Sequence, residues 1–269
     1  MPELPEMENY RRLLSNKLLG RRIVGVTIHR ERSINVPVES FIEQTKGQTI
    51  QRIGRRGKQI IFDLENGRVL LLHLMLGGWM YLGTQEDRPD RTFQVILDFG
   101  NISLYFIGLR LGYLHLLSQE QLEEVLSHLG PEPDSPLFTS GMFSDKLRKK
   151  RGMLKPVLVD QKVFAGIGNC YSDEICFEAH LLPMRKCQEL SDDELLELYL
   201  ATRLVLGQAT EMGGYMENPL FLGDHLTGGY DERCKVYDRG GEPCPRCGTL
   251  ITKDEITSRK TFYCRGCQH

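Results

Sequence analysis

Between about residues 21 and 117 the chain alternates apolar and polar positions in short runs. RRIVGVTIHR, QTIQRIGRRG, KQIIFDLENG, RVLLLHLMLGG, TFQVILDFGN and ISLYFIGLRLG each break at Gly, Asn or Asp. Period-two runs bounded by turn residues read as strands, and several at this spacing predict an antiparallel sandwich or barrel. Ahead of them, MENYRRLLSNKLLG carries helical spacing and stops at Gly20, a glycine suited to the left-handed residue that ends a helix. After residue 118 the period lengthens. SQEQLEEVLSHLG, FSDKLRKKRGMLKPVLVDQ, NCYSDEICFEAHLLP and SDDELLELYLATRLVLGQATEMGG all read as helical, and Ser191 with Glu194 forms a capping box for the last. The final thirty or so residues are short segments punctuated by paired cysteines. The pattern predicts an α+β chain: an N-terminal β-sandwich with a terminal helix over 1–118, a helical domain over 132–235 and a ribbon over 236–269. PEPDSP begins the linker between the first two.

Composition narrows the class. The 269 residues are 41% hydrophobic and 26% charged, as in ordinary globular domains. No apolar run reaches the roughly eighteen residues of a membrane span, and the N-terminus has no signal-peptide pattern. The expectation is a cytoplasmic protein without a membrane partner. A net charge of −2 argues against a strongly anionic partner, but it averages over the chain. Positive charge gathers in GRRGK (54–58) and in KLRKKRGMLK, which holds Arg148, Lys149, Lys150, Arg151 and Lys155, while QEQLEE and ELSDDELLEL balance it.

Cysteine usage adds a metal. Cys170, Cys176, Cys187 and Cys234 are scattered and read as small buried residues. Cys244, Cys247, Cys264 and Cys267 form two C-x2-C pairs separated by sixteen residues. Each pair aims two thiolates at one point, and two pairs complete a tetrahedral site for one zinc ion. Four cysteines leave no position for water, so the ion is structural. A redox C-x-x-C pair is the competing reading, and it lacks the βαβ context such motifs require.

Two further stretches carry chemistry. AGIGNCYSDE places Gly166 and Gly168 in a turn and Asn169 at the next helix start, where free N–H groups suit a phosphate; a plain helix–helix turn uses the same residues. At the head, MPELPEMEN puts proline second. Removal of Met1 from such a terminus leaves a secondary amine, which titrates near 8 and is partly unprotonated at neutral pH. Its attack on a sugar C1′ gives an iminium that stays cationic without further protonation. Glu3 supplies an adjacent carboxyl for acid–base work.

PELPEMEN, GRRGK, HLMLGG, DQKVFAGIGNCYSDEICFEAHLLP and CPRCG…SRKTFYCRGC occur in this order across essentially the whole chain. In them the sequence resembles the formamidopyrimidine-DNA glycosylase/endonuclease VIII family of base-excision repair enzymes, and the formamidopyrimidine-DNA glycosylase branch more closely. The resemblance implies a β-sandwich, a helical domain with a helix–two-turns–helix motif and a zinc ribbon, with damaged double-stranded DNA in the cleft between the domains. It implies Pro2 as nucleophile, Glu3 as proton donor to the opening sugar, Lys58 as the lysine assisting β-elimination and Arg259 as the arginine gripping phosphate for δ-elimination. It places Asn169, Arg151 and His73 against phosphates and Glu6 as a supporting carboxylate. Leu76 and Arg110 stand at positions that fill the void left by a flipped base. One structural zinc, no organic cofactor, a monomer and action at the nucleoid are further implications.

The void-filling stretch departs from the pattern. Leu76 stands where 8-oxoguanine enzymes carry methionine, and Gly112 where a phenylalanine is expected two residues after Arg110. The segment YMENPLFLGDHLTGGYDE, matching a loop that caps the flipped base, carries Glu217, Asp224, Asp231 and Glu232. The expected activity is excision of oxidised bases of the 8-oxoguanine or formamidopyrimidine type through a proline Schiff base, followed by β,δ-elimination. The alternative is a divergent paralogue that binds or nicks abasic or distorted DNA without excising 8-oxoguanine.

Overall fold

The computed structural model describes residues 1–269. The chain forms two compact units, residues 1–128 with 212–229 and residues 129–211 with 230–269. No helix is long and apolar enough to cross a membrane.

In the first unit, helix α1 (Leu4–Leu18) ends at Leu19 and is followed by Gly20 at φ +75°, the terminating glycine expected from the sequence. Eight strands follow: β1 (Gly25–Ile28), β2 (Ile50–Arg56), β3 (Gln59–Leu64), β4 (Val69–His73), β5 (Trp79–Gly83), β6 (Phe93–Asp98), β7 (Ser103–Ile107) and β8 (Tyr113–Leu117). They make two antiparallel four-stranded sheets, ordered β1-β6-β7-β5 and β2-β3-β4-β8. Alternate residues of both sheets enter one core: Ile53, Ile60, Phe62, Leu70 and Leu72 from one sheet, Met80, Val95, Leu97, Leu104 and Phe106 from the other. Met7, Tyr10, Leu14 and Leu18 of α1 join it at helical spacing. The outer face of the second sheet offers Ile61, Val69, Leu71 and Leu117, covered by Leu122 of helix α3 (Gln119–Leu126). Helix α2 (Val38–Thr45) lies in the stretch read from sequence as β-rich; Pro37 precedes it and Phe41 is its fully buried anchor.

The second unit holds α4 (Ser140–Arg148), α5 (Leu154–Leu158), α6 (Asn169–Glu178), α7 (Asp192–Glu211) and the hairpin β9 (Thr252–Ile256)–β10 (Arg259–Tyr263). The sequence pattern treats residues 143–161 as one helical stretch, and the structure divides it. Pro156 has no N–H to give and its ring would strike the carbonyl one turn earlier, so a helix cannot run through it. The chain restarts instead, with Pro156 inside the first turn of the five-residue α5. The Ser191–Glu194 capping box is present: Ser191 N–H donates to Glu194 Oε2 at 2.8 Å, and Glu194 N–H to Ser191 Oγ at 3.2 Å.

Candidate functional site

A helix N-terminus leaves backbone N–H groups unsatisfied, and at α1 a carboxylate supplies the acceptor. Glu3 is the N-cap, and its N–H donates to Glu6 Oε2 at 2.7 Å. Glu3 and Glu6 are 2% and 0% exposed, and Pro2 beside them is buried. Met1 makes the Pro2 nitrogen an amide here, so amine chemistry requires its removal. One turn on, Glu8 receives Arg11 and accepts from Arg55 Nε of β2 at 3.0 Å, pinning α1 to the sheet. Burial pushes the Glu8 carboxyl up, but the Arg11 and Arg55 hydrogen bonds outweigh it and hold the carboxyl below its usual range.

The β2–β3 hairpin turns at Gly57, φ +54°, which brings Lys58 to the mouth of the sheet, only 7% exposed. Gln59 pairs with His73 across β3 and β4, so Lys58 and His73 are neighbours. Burial, helped by the Lys58 charge, pushes the His73 imidazole down to about 4, so at neutral pH it is an uncharged ring. The linkage has a definite sign. A group depressed from 6.5 to about 4 contributes stability that is present above 6.5 and lost as pH falls through 4. His73→Gln should therefore lose about 3 kcal/mol less than the parent between pH 7 and pH 4. Urea unfolding at the two pH values measures this, and equal losses in both proteins would show that His73 is not held neutral.

The loops after β4 and β7 pack backbone to backbone. A Cβ added at Gly112 would sit 2.5 Å from the His73 carbonyl oxygen and 2.6 Å from that of Leu74. Position 112 therefore has no room for any side chain, and the residue expected there from the sequence pattern cannot stand at that point. Leu111, one residue earlier, is 63% exposed, and Leu76 on the facing loop is 67% exposed. Arg110 is also exposed. The structure thus brings Leu76, Arg110 and Leu111 to adjoining loops. The sequence signal for Leu111 was a lone leucine between an arginine and a glycine at a turn.

The segment 212–229 returns to the first unit. Leu220 is fully buried in the sandwich core, and its carbonyl accepts the Leu82 N–H at 2.6 Å. Tyr10 OH donates to the Asn218 carbonyl at 3.0 Å, and Asn9 Nδ2 to Thr227 Oγ1 at 2.8 Å. Asp224, one of the four acids noted in this segment, is turned into the loop: it accepts from Leu220 N–H at 2.8 Å and Thr227 Oγ1 at 2.6 Å. Glu217, Asp231 and Glu232 remain exposed.

In the second unit, Gly166 (φ +105°) turns the chain and Gly168 caps α6, so Asn169 is its first residue. Asn169 Nδ2 donates to the Lys260 carbonyl at 3.1 Å, using one of its two amide N–H groups. The same carbonyl accepts Lys155 Nζ at 2.7 Å, and Lys155 also pairs with Asp173 at 2.7 Å, both side chains being 0% exposed. Asp173 Oδ2 takes the Phe262 N–H at 3.0 Å, and the fully buried Glu174 takes the N–H groups of Lys235, Val236 and Tyr237 at 2.8–2.9 Å. Two adjacent carboxylates of α6 thereby fix the ribbon, Asp173 at β10 and Glu174 at the segment 235–237 that leads into it.

Lys155 does not belong to a basic surface, contrary to the sequence reading. Arg148 pairs with Asp192 and Lys150 with Asp160, and Arg148, Lys149 and Arg151 are exposed beside the α4–α5 break. Arg259 is exposed at the start of β10, directly after Thr257 and Ser258, both at positive φ in a tight two-residue turn.

Cys244, Cys247, Cys264 and Cys267 place their sulfurs within 4.8 Å of one another. Tetrahedral Zn–S bonds of about 2.3 Å demand sulfur separations near 3.8 Å, so the four thiols fit one zinc ion. Backbone N–H groups of Arg246 and Gly266 point at Cys244 and Cys264 sulfurs at 3.4 Å, the second layer such thiolates need. Arg246 also lies over the Phe177 ring at 4.2 Å, seating the knuckle on α6. The ion is structural: all ligand positions are thiolates. The scattered Cys170, Cys176, Cys187 and Cys234 are all buried, as expected.

Comparison with known proteins agrees with this geometry. The formamidopyrimidine-DNA glycosylase N-terminal domain family matches residues 1–113, the H2TH domain family of the same enzymes residues 129–218, and the zinc finger found in FPG and IleRS residues 241–269. The formamidopyrimidine-DNA glycosylase of Pelotomaculum thermopropionicum is 36% identical over 273 residues, covering 100% of this chain and 99% of that one. That of Listeria innocua is 35% identical with full coverage of both. Among solved structures, Lactococcus lactis Fpg bound to N7-benzyl-Fapy-dG DNA superposes with a TM-score of 0.92 at 31% identity over 100% of both chains. The same protein bound to DNA with an abasic site gives 0.91 at 30% identity over 99% of both. On fold, zinc site and the order of its motifs together, the chain belongs to the formamidopyrimidine-DNA glycosylase family.

Proposed function

We propose that this DNA glycosylase excises oxidised bases of the 8-oxoguanine or formamidopyrimidine type from duplex DNA and then cuts the strand at the resulting abasic site. The observation that carries the reading is the head of α1. There a buried carboxylate fixes the backbone of Glu3 and with it the adjoining Pro2. Once Met1 is removed, the Pro2 nitrogen attacks C1′ of the flipped nucleotide and the C1′–base bond breaks, the base leaving with a proton. Glu3 protonates the sugar ring oxygen as the ring opens to the iminium. The iminium acidifies the 2′ hydrogens; loss of one expels the 3′ phosphate (β-elimination), and a second elimination expels the 5′ phosphate. Lys58, held at the sheet mouth, assists the first elimination, and Arg259 the second. His73, Asn169 and Arg151 take backbone phosphates, while Leu76, Arg110 and Leu111 fill the stack after the nucleotide leaves it.

Borohydride trapping on two duplexes tests the reading, one with an abasic site and one with 8-oxoguanine opposite cytosine, using protein shown by mass to begin at Pro2. Covalent complex on both is expected. Complex on the abasic duplex alone would keep the lyase and point to another lesion. None on either duplex would remove the Schiff-base mechanism.

A further inference from the structure

The segment 212–229 does more than pack on the first unit. Glu6 uses both carboxylate oxygens on backbone: Oε2 holds the Glu3 N–H at 2.7 Å, and Oε1 holds the Tyr215 N–H at 2.8 Å. One buried side chain thus fixes Tyr215 relative to the residue that follows Pro2. The approach depends on two glycines, Gly213 at φ +77° and Gly214 at φ +78°. A Cβ at 214 would collide with the Glu6 carboxylate, and one at 213 with the Leu226 carbonyl. The far end is tied by Tyr10–Asn218, Asn9–Thr227 and buried Leu220, so Tyr215 has no loop slack on either side. Its hydroxyl then reaches the N-terminal peptide, 3.5 Å from the Met1 carbonyl oxygen. That oxygen and the Pro2 nitrogen share one amide carbon and stand only about 2.2 Å apart. The phenol therefore stands within about 6 Å of the nitrogen that processing would turn into an amine.

We propose that Tyr215 is a positioning residue for the nucleophile: in the chain beginning at Pro2, its hydroxyl oxygen accepts the N–H of the proline amine. A neutral secondary amine has one N–H and one lone pair at tetrahedral angles, so holding the first aims the second. Glu6 acts through both partners, keeping the backbones of Glu3 and Tyr215 in register. This inference rests on the Schiff-base reading above.

The test is Tyr215→Phe, which keeps the ring and the backbone bond to Glu6 and removes only the hydroxyl. Single-turnover borohydride trapping on abasic duplex is followed from pH 5 to 9, with the N-terminus checked by mass and duplex affinity measured by gel shift. The variant should trap about tenfold more slowly at the plateau, the scale of a misaimed reactant. Its affinity should stay within about twofold of the parent. The acidic limb of its profile should move to lower pH, because the ammonium form loses an acceptor that favours it. Glu3 and Glu6 are present in both proteins, so the difference in limb reports the phenol. Unchanged rate and limb would overturn the proposal. So would a slower rate that tracks a loss of affinity with the limb in place, which is what a merely structural tyrosine gives. A parent protein that fails to trap removes the Schiff-base reading and this inference with it, whereas trapping by parent and variant alike removes only the inference.

Discussion

Pro2→Gly should lower the rate of borohydride trapping on an abasic duplex by on the order of 100-fold, with gel-shift affinity for the same duplex nearly intact. Glycine leaves a primary amine. Its condensation product is a neutral imine until it takes a further proton, so the electron sink that acidifies the 2′ hydrogens is present only part of the time. The pyrrolidine ring also fixes the substituents around nitrogen, and glycine frees them. Both effects act on the chemical step and neither touches a phosphate contact. A Pro2→Gly protein that is shown by mass to have lost Met1, and that still traps within about threefold of the parent, would remove the terminal amine from the mechanism.

Lys155→Met should cost about 3–5 kcal/mol of stability at pH 8, because it leaves Asp173 buried without its cation. Methionine fills nearly the same volume, so lost packing contributes little. Burial pushes the Asp173 carboxyl up from 3.8 to about 7, against the pull of Lys155 and the Phe262 N–H. A raised carboxyl contributes stability that is fully present below 3.8 and lost as pH rises through about 7. Without Lys155 its value climbs further, so the variant should be less damaged at pH 5, where a proton neutralises the site, than at pH 8. Adding Asp173→Asn should restore much of the loss, since the amide oxygen still accepts from Phe262 and no charge is stranded. Urea denaturation at both pH values reads these differences. A loss equal at pH 5 and pH 8, or no recovery in the double variant, would mean the ion pair is not what holds the hairpin on α6.

How far the sequence could be read depended on whether a feature is local. The Ser191 cap, the Gly20 terminator, the α6 start at Asn169 and the four-cysteine site each lie within a few residues or in a spacing that only one geometry satisfies. The β-sandwich was visible in its alternation. What escaped were pairings across long separations. Lys155 looks like its basic neighbours in the chain, and only Asp173, eighteen residues on, removes it from the surface. Asp224 reads as a charge facing DNA until Leu220 and Thr227 are seen to use it. Leu111 and Gly112 exchange roles because the carbonyls of His73 and Leu74, on a distant loop, exclude a side chain at 112. Tyr215 carries no motif at all; its place follows from Glu6, 209 positions earlier.

The first unit draws its core from both ends of a long stretch of chain, since Leu220 fills a place among residues no later than Leu116. During synthesis that place stays vacant until the ribosome has made and released residue 220. Burying one leucine is worth about 2 kcal/mol, a sizeable share of a domain's net stability, and the hydrogen bonds to α1 come with it. At roughly 5–20 residues per second, the wait is on the order of 10–40 seconds after the first residues emerge. Over that interval the peptide bond between Met1 and Pro2 has no Tyr215 beside it and no finished sandwich beneath it. An aminopeptidase acting in that interval would meet an open terminus, and the segment 212–229 packs beside that terminus only after it is made.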